Sequence, residues 1–368
     1  MRKGGQSVII LIAASTVVGF SAGPRGEIEH MIVEMKTGAS KEAVDTVVQR
    51  AKSMGFNVQL NRGTDKTVVA ILGGNTGQVS SDIFAVLPEV ESVTRIMRPY
   101  KLASREFMGK DSVVSVNGIE IGGNRVVIMA GPCAVESEEQ LMEAARAVKK
   151  AGACIMRGGA FKPRTSPFSF QGLEEAGLEI LEKARKKLGM PVITEVVDPH
   201  EVDLVAASAD ILQIGSRNMQ NYALLTEVGK SHLPAVLKRG FSCTITEWLT
   251  AADYLLAEGN DRVILCERGI RTFEDSTRFS LDISAIPVLK RSSHLPVIVD
   301  PSHAAGHFAL VPAIARAAIA AGADGLLIEV HPNPKEALVD GLQSLTPSDF
   351  TRLMDELRAI ASSIGRYI

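Results

Sequence analysis

Cys133, His303, Glu329 and Asp340 offer a thiolate, an imidazole and two carboxylates. That mixed donor set suits a divalent first-row transition metal better than a closed structural zinc, which prefers cysteine and histidine alone. A second group is cationic: Arg157, Lys162, Arg164, Arg217, Lys238 and Arg268. Gathered at one place, these side chains would repel one another unless the pocket received several anionic groups. Arginine would hold carboxylate or phosphate with its planar donor fork, and lysine would act as a point charge. Each charge-assisted hydrogen bond is worth roughly 1.5–3 kcal/mol, so the set fits two highly charged ligands better than one. A metal site facing an anion clamp points to an enzyme of phosphorylated metabolites.

Spacing along the chain carries little of this, because the residues come from separate segments; what unites them is the ends of strands. From residue 113 onward, short apolar runs alternate with helical stretches: 125–131, 154–159, 191–196, 211–215, 234–240, 262–269, 296–302 and 325–330. Continuous apolar runs mark strands buried on both faces, as in a parallel sheet. Helices are expected between them, among others over 137–150 (capped by Ser137, closed by Gly152), 174–188 and 307–321. Eight βα repeats close most simply into a (β/α)8 TIM barrel, whose active site lies at the C-terminal ends of the strands. An open doubly wound sheet is the alternative, disfavoured because no GxGxxG follows the first strand. The rim then gathers Cys133 beyond Gly131-Pro132, Arg157 with the Lys162–Ser166 loop, Glu195, Arg217, Lys238-Arg239, Glu267-Arg268, Asp300 with His303, Glu329 with His331, and Asp340. Cys154 and Cys266 read as core. His200, His232, His294 and His307 read as surface or packing residues. A hairpin turning at Asn117-Gly118 precedes the first barrel strand and would plug the bottom.

Residues 31–98 follow a βαββαβ order, the ferredoxin-like α+β unit. Helices are expected from Ser40 to about Met54 and over about 77–86, with a hairpin across Asn61-Arg62-Gly63. One face of that sheet would be free to take a small regulator or a partner. Residues 99–112, charged and poor in periodic apolar positions, read as the linker to the catalytic unit at 113–368. The first 30 residues combine Arg2, Lys3, an apolar run from Val8 to Phe20 and small residues thereafter. That is the shape of a signal peptide, but is read here as an upstream extension. The 368-residue chain is 46% apolar and 22% charged with a net charge of −2. No overall basic field draws it to nucleic acid or to an anionic membrane. Its scattered cysteines suit a reducing, cytoplasmic compartment.

The motifs GPCAVES (131–137), RGGAFKPRTSPFSFQGL (157–173), QIGSRNMQN (213–221), LKRGF (237–241), CERGIRTFE (266–274), VDPSHAAGH (299–307) and IEVHP (328–332) resemble 3-deoxy-D-arabino-heptulosonate 7-phosphate (DAHP) synthases. The likeness is closest to the microbial branch with a fused ferredoxin-like domain, and covers essentially everything from Met31 onward. The resemblance implies condensation of phosphoenolpyruvate with erythrose 4-phosphate. Cys133, His303, Glu329 and Asp340 would then bind a divalent metal such as manganese, iron, zinc or cobalt. Arg157, Lys162, Arg217, Lys238 and Arg268 would hold phosphoenolpyruvate. Lys162, Pro163, Arg164 and Thr165 would line the erythrose 4-phosphate site, joined by Arg271 across an oligomer interface. Glu195 and Lys238 are candidates for positioning the attacking water. The same resemblance implies a homo-oligomer, a tetramer, regulated by tyrosine or phenylalanine through the N-terminal unit. The related 3-deoxy-manno-octulosonate 8-phosphate (KDO 8-phosphate) synthases, which use arabinose 5-phosphate, typically read Lys-Ala-Asn-Arg-Ser-Ser where this chain has Lys162-Pro163-Arg164-Thr165-Ser166. Their metal-independent members carry Asn at the position of Cys133. A non-catalytic barrel that binds sugar phosphates is the reading from another class; it has no need of a Lewis acid.

Overall fold

The computed structural model describes residues 30–368, apart from 63–65, 74–75, 77–78, 97–98 and 164–165. The expectation for the N-terminal extension therefore lies, His30 aside, outside the described residues. No helix among those described is long and apolar enough to cross a membrane.

Strands β1 (His30–Met35), β2 (Asn57–Arg62), β3 (Thr67–Leu72) and β4 (Val90–Ile96) form an antiparallel sheet in the order β2-β3-β1-β4. Met31, Val33 and Met35 pack with Val44, Val47 and Phe84 under the helices. Residues Ile32 and Ala70, on the opposite face, join the hydrophobic cluster of the barrel. Gln59 Nε2 donates to the Leu256 carbonyl at 2.6 Å. The face expected to be free is thus partly closed against the barrel. Three successive apolar residues in β1, Met31-Ile32-Val33, carry the reason: side chains alternate across a strand, so such a run demands cover on both faces. Two further expectations are corrected here. Strand β2 continues through Asn61 and Arg62, which pairs with Thr67, so the turn begins later than Asn61. The second helix is a single turn, Asp82–Ala85.

β5 (Val114–Val116) and β6 (Ile119–Ile121) make the expected hairpin, turning at Asn117-Gly118. Strands β7 (Val127–Gly131), β8 (Ile155–Arg157), β9 (Val192–Val196), β10 (Ile211–Ile214), β11 (Ala235–Lys238), β12 (Val263–Glu267), β13 (Val297–Val299) and β14 (Gly325–Glu329) close into a parallel barrel, β14 pairing with β7. Val114, Val116 and Ile121 of the hairpin pack with Val127, Ile155, Ile193, Ile211, Val236, Ile264 and Ile298 inside the barrel. Its lower end is a filled core, and chemistry is left to the other rim. Ser137 caps the helix Glu138–Ala151 through its side chain as expected. The helix expected over 307–321 is present as Val311–Ala320, and a further short helix, Pro301–Ala305, precedes it and ends at Gly306. His303 therefore sits on a short helix that starts directly after β13.

The segment 99–112 is not a loose linker. Tyr100, Leu102, Ala103 and Phe107 are buried in the barrel cluster. Lys101 N–H and Ala103 N–H donate to Asp253 at 2.5 and 2.8 Å. His294 contacts Ser112 Oγ and the Leu102 carbonyl, both at 2.7 Å. Burial pushes the Asp253 carboxyl up to about 6, although the backbone donors around Lys101 favour its charged form. A folded-state value above the unfolded one means that the folded protein holds the proton more tightly. This group's contribution is full below about pH 4 and fades as pH rises through 6. Urea unfolding at pH 4 and pH 7 should show a fall of up to about 3 kcal/mol that Asp253→Asn lacks. Equal slopes in both proteins would contradict this.

Candidate active site

Gly131 ends β7 where an added Cβ would lie 2.1 Å from the Arg157 carbonyl oxygen. The close approach of β7 to β8 lets Pro132 and Cys133 turn over the barrel mouth. There Cys133, His303, Glu329 and Asp340 each present a ligand atom within 4.8 Å of the others. Glu329 is the last residue of β14 and is held on three sides. Its Oε1 accepts from Arg157 at 2.8 Å, its Oε2 accepts from Gln343 Nε2 at 2.6 Å, and its N–H donates to Ser302 Oγ at 3.0 Å. His303 Nδ1 lies 2.8 Å from Asp300 Oδ2. That contact leaves Nε2 turned toward Glu329 Oε1 and Asp340 Oδ2, both 3.6 Å away. A carboxylate behind a histidine fixes the tautomer of a metal-ligating imidazole in this way.

Burial, against the pull of Asp300, lowers the His303 pKa, which favours the neutral ring that a metal requires. Burial and then Glu329 push the Cys133 thiol up to about 12, against Lys162 and Arg157. Loading a cation there would displace the thiol proton. The donors fit a divalent transition ion by type, number and separation.

The cavity beside this cluster is lined by Arg157, Lys162, Pro163, Glu195, Arg217, Lys238 and Arg268. Arg164 and Thr165 lie outside the described residues. Arg217 is exposed at the cavity mouth, but the other described cations are not a solvated rim. Arg157, Lys162, Lys238 and Arg268 are all buried, and two have carboxylate partners: Arg157 with Glu329, and Lys238 with Asp300 at 2.5 Å. Lys162 Nζ stands 3.4 Å from Cys133 Sγ, joining clamp to cluster. Arg268 lies beside the stacked rings of Phe241 and Phe279, 4.9 and 4.1 Å from their centroids. Its NH1 has no hydrogen-bond partner, and burial lowers its pKa to about 10. An orphaned buried guanidinium donor is a place prepared for an anion. Glu195 packs against Gly215, where an added Cβ would fall 2.0 Å from Oε1. Glycine at this position is what lets the carboxylate stand on the cavity wall.

Arg239 and Glu267, counted at the rim, instead pair with each other at 2.9 Å within the wall, and Arg239 also reaches Asp282. Residue His331 contacts Glu136 rather than the cluster. Arg271 is exposed and outside the cavity lining, its guanidinium 5.7 Å from the centre of the Phe241 ring. The sequence reading missed Gln213, Ser216, Phe241, Phe279 and Arg278 on the cavity wall, and Gln343 behind the cluster. Arg278 and Phe279 follow β12 in a long loop, away from the strand ends where charged residues drew attention.

The family model for the DAHP synthetase I family matches residues 110–363, and that for the DAHP synthase ferredoxin-like domain matches residues 31–98. The chain belongs to the DAHP synthase family. The phospho-2-dehydro-3-deoxyheptonate aldolase of Thermotoga maritima is 48% identical over 335 residues, covering 91% of this chain and 99% of the relative. A crystal structure of the Thermotoga DAHP synthase aligns with a TM-score of 0.73 over 92% of this chain and 99% of that one. The 2-dehydro-3-deoxyphosphooctonate aldolase of Geobacter sulfurreducens is 32% identical over 267 residues, 67% of this chain and 97% of the relative. That match leaves about a third of this chain without a counterpart. The heptulosonate reading is thus supported over the octulosonate one, and this DAHP synthase family member is an enzyme rather than a non-catalytic sugar-phosphate barrel.

Proposed function

We propose that the cavity joins phosphoenolpyruvate to erythrose 4-phosphate and water, yielding DAHP and inorganic phosphate. This is the first step of the shikimate route to aromatic amino acids. The observation that carries the reading is that the anion clamp and the four-donor cluster are bonded into one unit, through Arg157–Glu329 and Lys162–Cys133. Arg157, Lys162, Arg217, Lys238 and Arg268 hold the phosphate and carboxylate of phosphoenolpyruvate. Lys162, Pro163, Arg164 and Thr165 receive erythrose 4-phosphate, with Arg271 supplied from a neighbouring subunit.

A divalent cation held by Cys133, His303, Glu329 and Asp340, whether manganese, iron, zinc or cobalt, would supply Lewis-acid polarisation of the aldehyde oxygen. The protein's own side chains do the rest. The clamp holds two mutually repelling anions face to face, which converts an encounter into a positioned reaction. The methylene carbon of phosphoenolpyruvate bonds to the aldehyde carbon as the carbonyl π bond opens to an alkoxide. The electron-poor carbon left behind takes a water positioned by Glu195 and Lys238, and the proton that water releases balances the one the alkoxide takes up. The phosphohemiketal then breaks the bond from that carbon to the phosphate oxygen; its hydroxyl becomes the ketone and gives its proton to the departing phosphate. In the assay that tests this, phosphate release from phosphoenolpyruvate should be rapid with erythrose 4-phosphate, at background with arabinose 5-phosphate, and suppressed by EDTA. A preference for the pentose, or full activity in chelator, would overturn the reading.

We further infer that residues 31–98 bind tyrosine or phenylalanine between subunits of a cytoplasmic homotetramer. The free state of all four cysteines supports a reducing compartment. Deleting residues 1–99, which leaves the Asp253-bound segment in place, should keep turnover and abolish inhibition by these amino acids. Unchanged inhibition would remove the regulatory role.

A further inference from the structure

We propose that Arg278 is a positioning residue that holds Asp340, and with it Glu329, in the geometry the cluster needs. The inference rests on the metal reading given above and assigns a task to a residue outside the ligand set.

Asp340 is the least anchored member of the cluster by its place in the chain. Glu329 ends a barrel strand, His303 stands on a helix capped by Asp300, and Cys133 follows a strand directly. Asp340 lies in the loop between β14 and the helix Pro347–Ser363, in a left-handed backbone conformation with φ 54°. That region is uncommon for residues other than glycine, though aspartate tolerates it better than most. Its side chain is 19% exposed, against 14% for His303 and 1% for Glu329. Something other than the fold of its own segment has to fix it.

Arg278 does so with one nitrogen. Its NH1 lies 3.1 Å from Asp340 Oδ1 and donates to Gln343 Oε1 at 2.7 Å. The other carboxylate oxygen, Oδ2, is the one that faces Cys133 Sγ at 3.5 Å and His303 Nε2 at 3.6 Å. One oxygen is occupied by Arg278 so that the other is presented to the cluster. Gln343 Nε2 donates in turn to Glu329 Oε2 at 2.6 Å. A guanidinium from the loop after β12 therefore ties together both carboxylates that follow β13. The loop can reach because Gly306 has no side chain: a Cβ there would fall 2.4 Å from Arg278 Cβ. Arg278 N–H also donates to the Ala305 carbonyl at 3.3 Å, which anchors the residue from below.

The two roles open to such an arginine predict opposite signs. As a mere positive charge near the site, it would repel a divalent cation, and its removal would tighten metal binding. As the residue that orients Asp340, its removal loosens binding, by about 10- to 100-fold as for other groups that support metal ligands from behind. Free Mn2+ measured by electron paramagnetic resonance in equilibrium with the metal-stripped full-length protein separates these. Arg278→Met should weaken Mn2+ binding by that factor while the melting temperature of the metal-free protein stays put. Arg278→Lys, which keeps the charge but not the planar fork, should fall between. In an Asp340→Asn background, most of the loss caused by Arg278→Met should vanish, since two residues acting through one contact are not additive. Unchanged or tighter Mn2+ binding in Arg278→Met, or an equal loss in both backgrounds, overturns the assignment. Failure of the metal reading itself shows elsewhere: the native protein would then bind no Mn2+ that Cys133→Ser removes.

Discussion

Serine in place of Cys133 should lower kcat/KM by about 10³-fold or more, because a Lewis acid contributes several kcal/mol and each 1.4 kcal/mol is tenfold in rate. Cys133 is 4% exposed, and its sulfur stands beside Lys162, Asp340 and, through the cluster, His303 and Glu329. A thiol whose proton is held up to about 12 by burial still gives it up to a soft divalent ion; an alcohol in the same place does so far less readily. The substitution shortens one bond and opens no large cavity, so the fold should survive. Steady-state rates across a range of added Mn2+, with thermal melting as the control, check this. Full turnover by Cys133→Ser in the presence of chelator would remove the metal from the account.

Arg268→Met should show the opposite signature in activity and stability. Its guanidinium is buried beside the stacked rings of Phe241 and Phe279 with NH1 unpartnered. Leaving that cation unpaired costs the empty protein stability, only partly offset by its aromatic neighbours at about 2 kcal/mol or less. Methionine keeps the contact with the rings through a polarisable sulfur and carries no charge to desolvate. The variant should therefore melt at the native temperature or above it. At the same time it loses charge-assisted bonds to substrate worth roughly 1.5–3 kcal/mol each, so kcat/KM should fall by about 10²-fold or more. Phosphoenolpyruvate should raise the melting temperature of the native protein and not of the variant. A destabilised variant with near-native kinetics would mean that Arg268 belongs to the wall rather than to the clamp.

What the sequence disclosed, and what it hid, follows from the period over which each signal is written. Barrel strands such as RVVIMAG and PVITEV announce themselves as unbroken apolar runs, and residues at their ends, Arg157, Glu195, Lys238 and Glu329, could be placed on one rim from counting alone. Cys133 was legible because Gly131-Pro132 breaks the strand just before it. Arg278 and Gln343 were not, because each lies in a loop whose path depends on contacts far away in the chain, Gly306 for one and Glu329 for the other. Glu267 and Arg239 looked alike with the clamp residues at strand ends; only their mutual distance shows that they satisfy each other. The segment 99–112 read as a linker because its buried residues, Tyr100, Leu102, Ala103 and Phe107, follow neither helical nor strand periodicity. Its anchors, Asp253 and His294, are contributed by the barrel. In the N-terminal sheet the signal is present in Met31-Ile32-Val33, a run too apolar for a strand with one face in water.

The proposed chemistry requires that Cys133, His303, Glu329 and Asp340 ligate a single ion. Titrating the metal-free protein with Co2+ and following its absorption tests this most directly. Saturation at one equivalent is the predicted result, with a thiolate-to-metal charge-transfer band in the near ultraviolet that disappears in Cys133→Ser. Binding without that band, or a band that persists in Cys133→Ser, would contradict it.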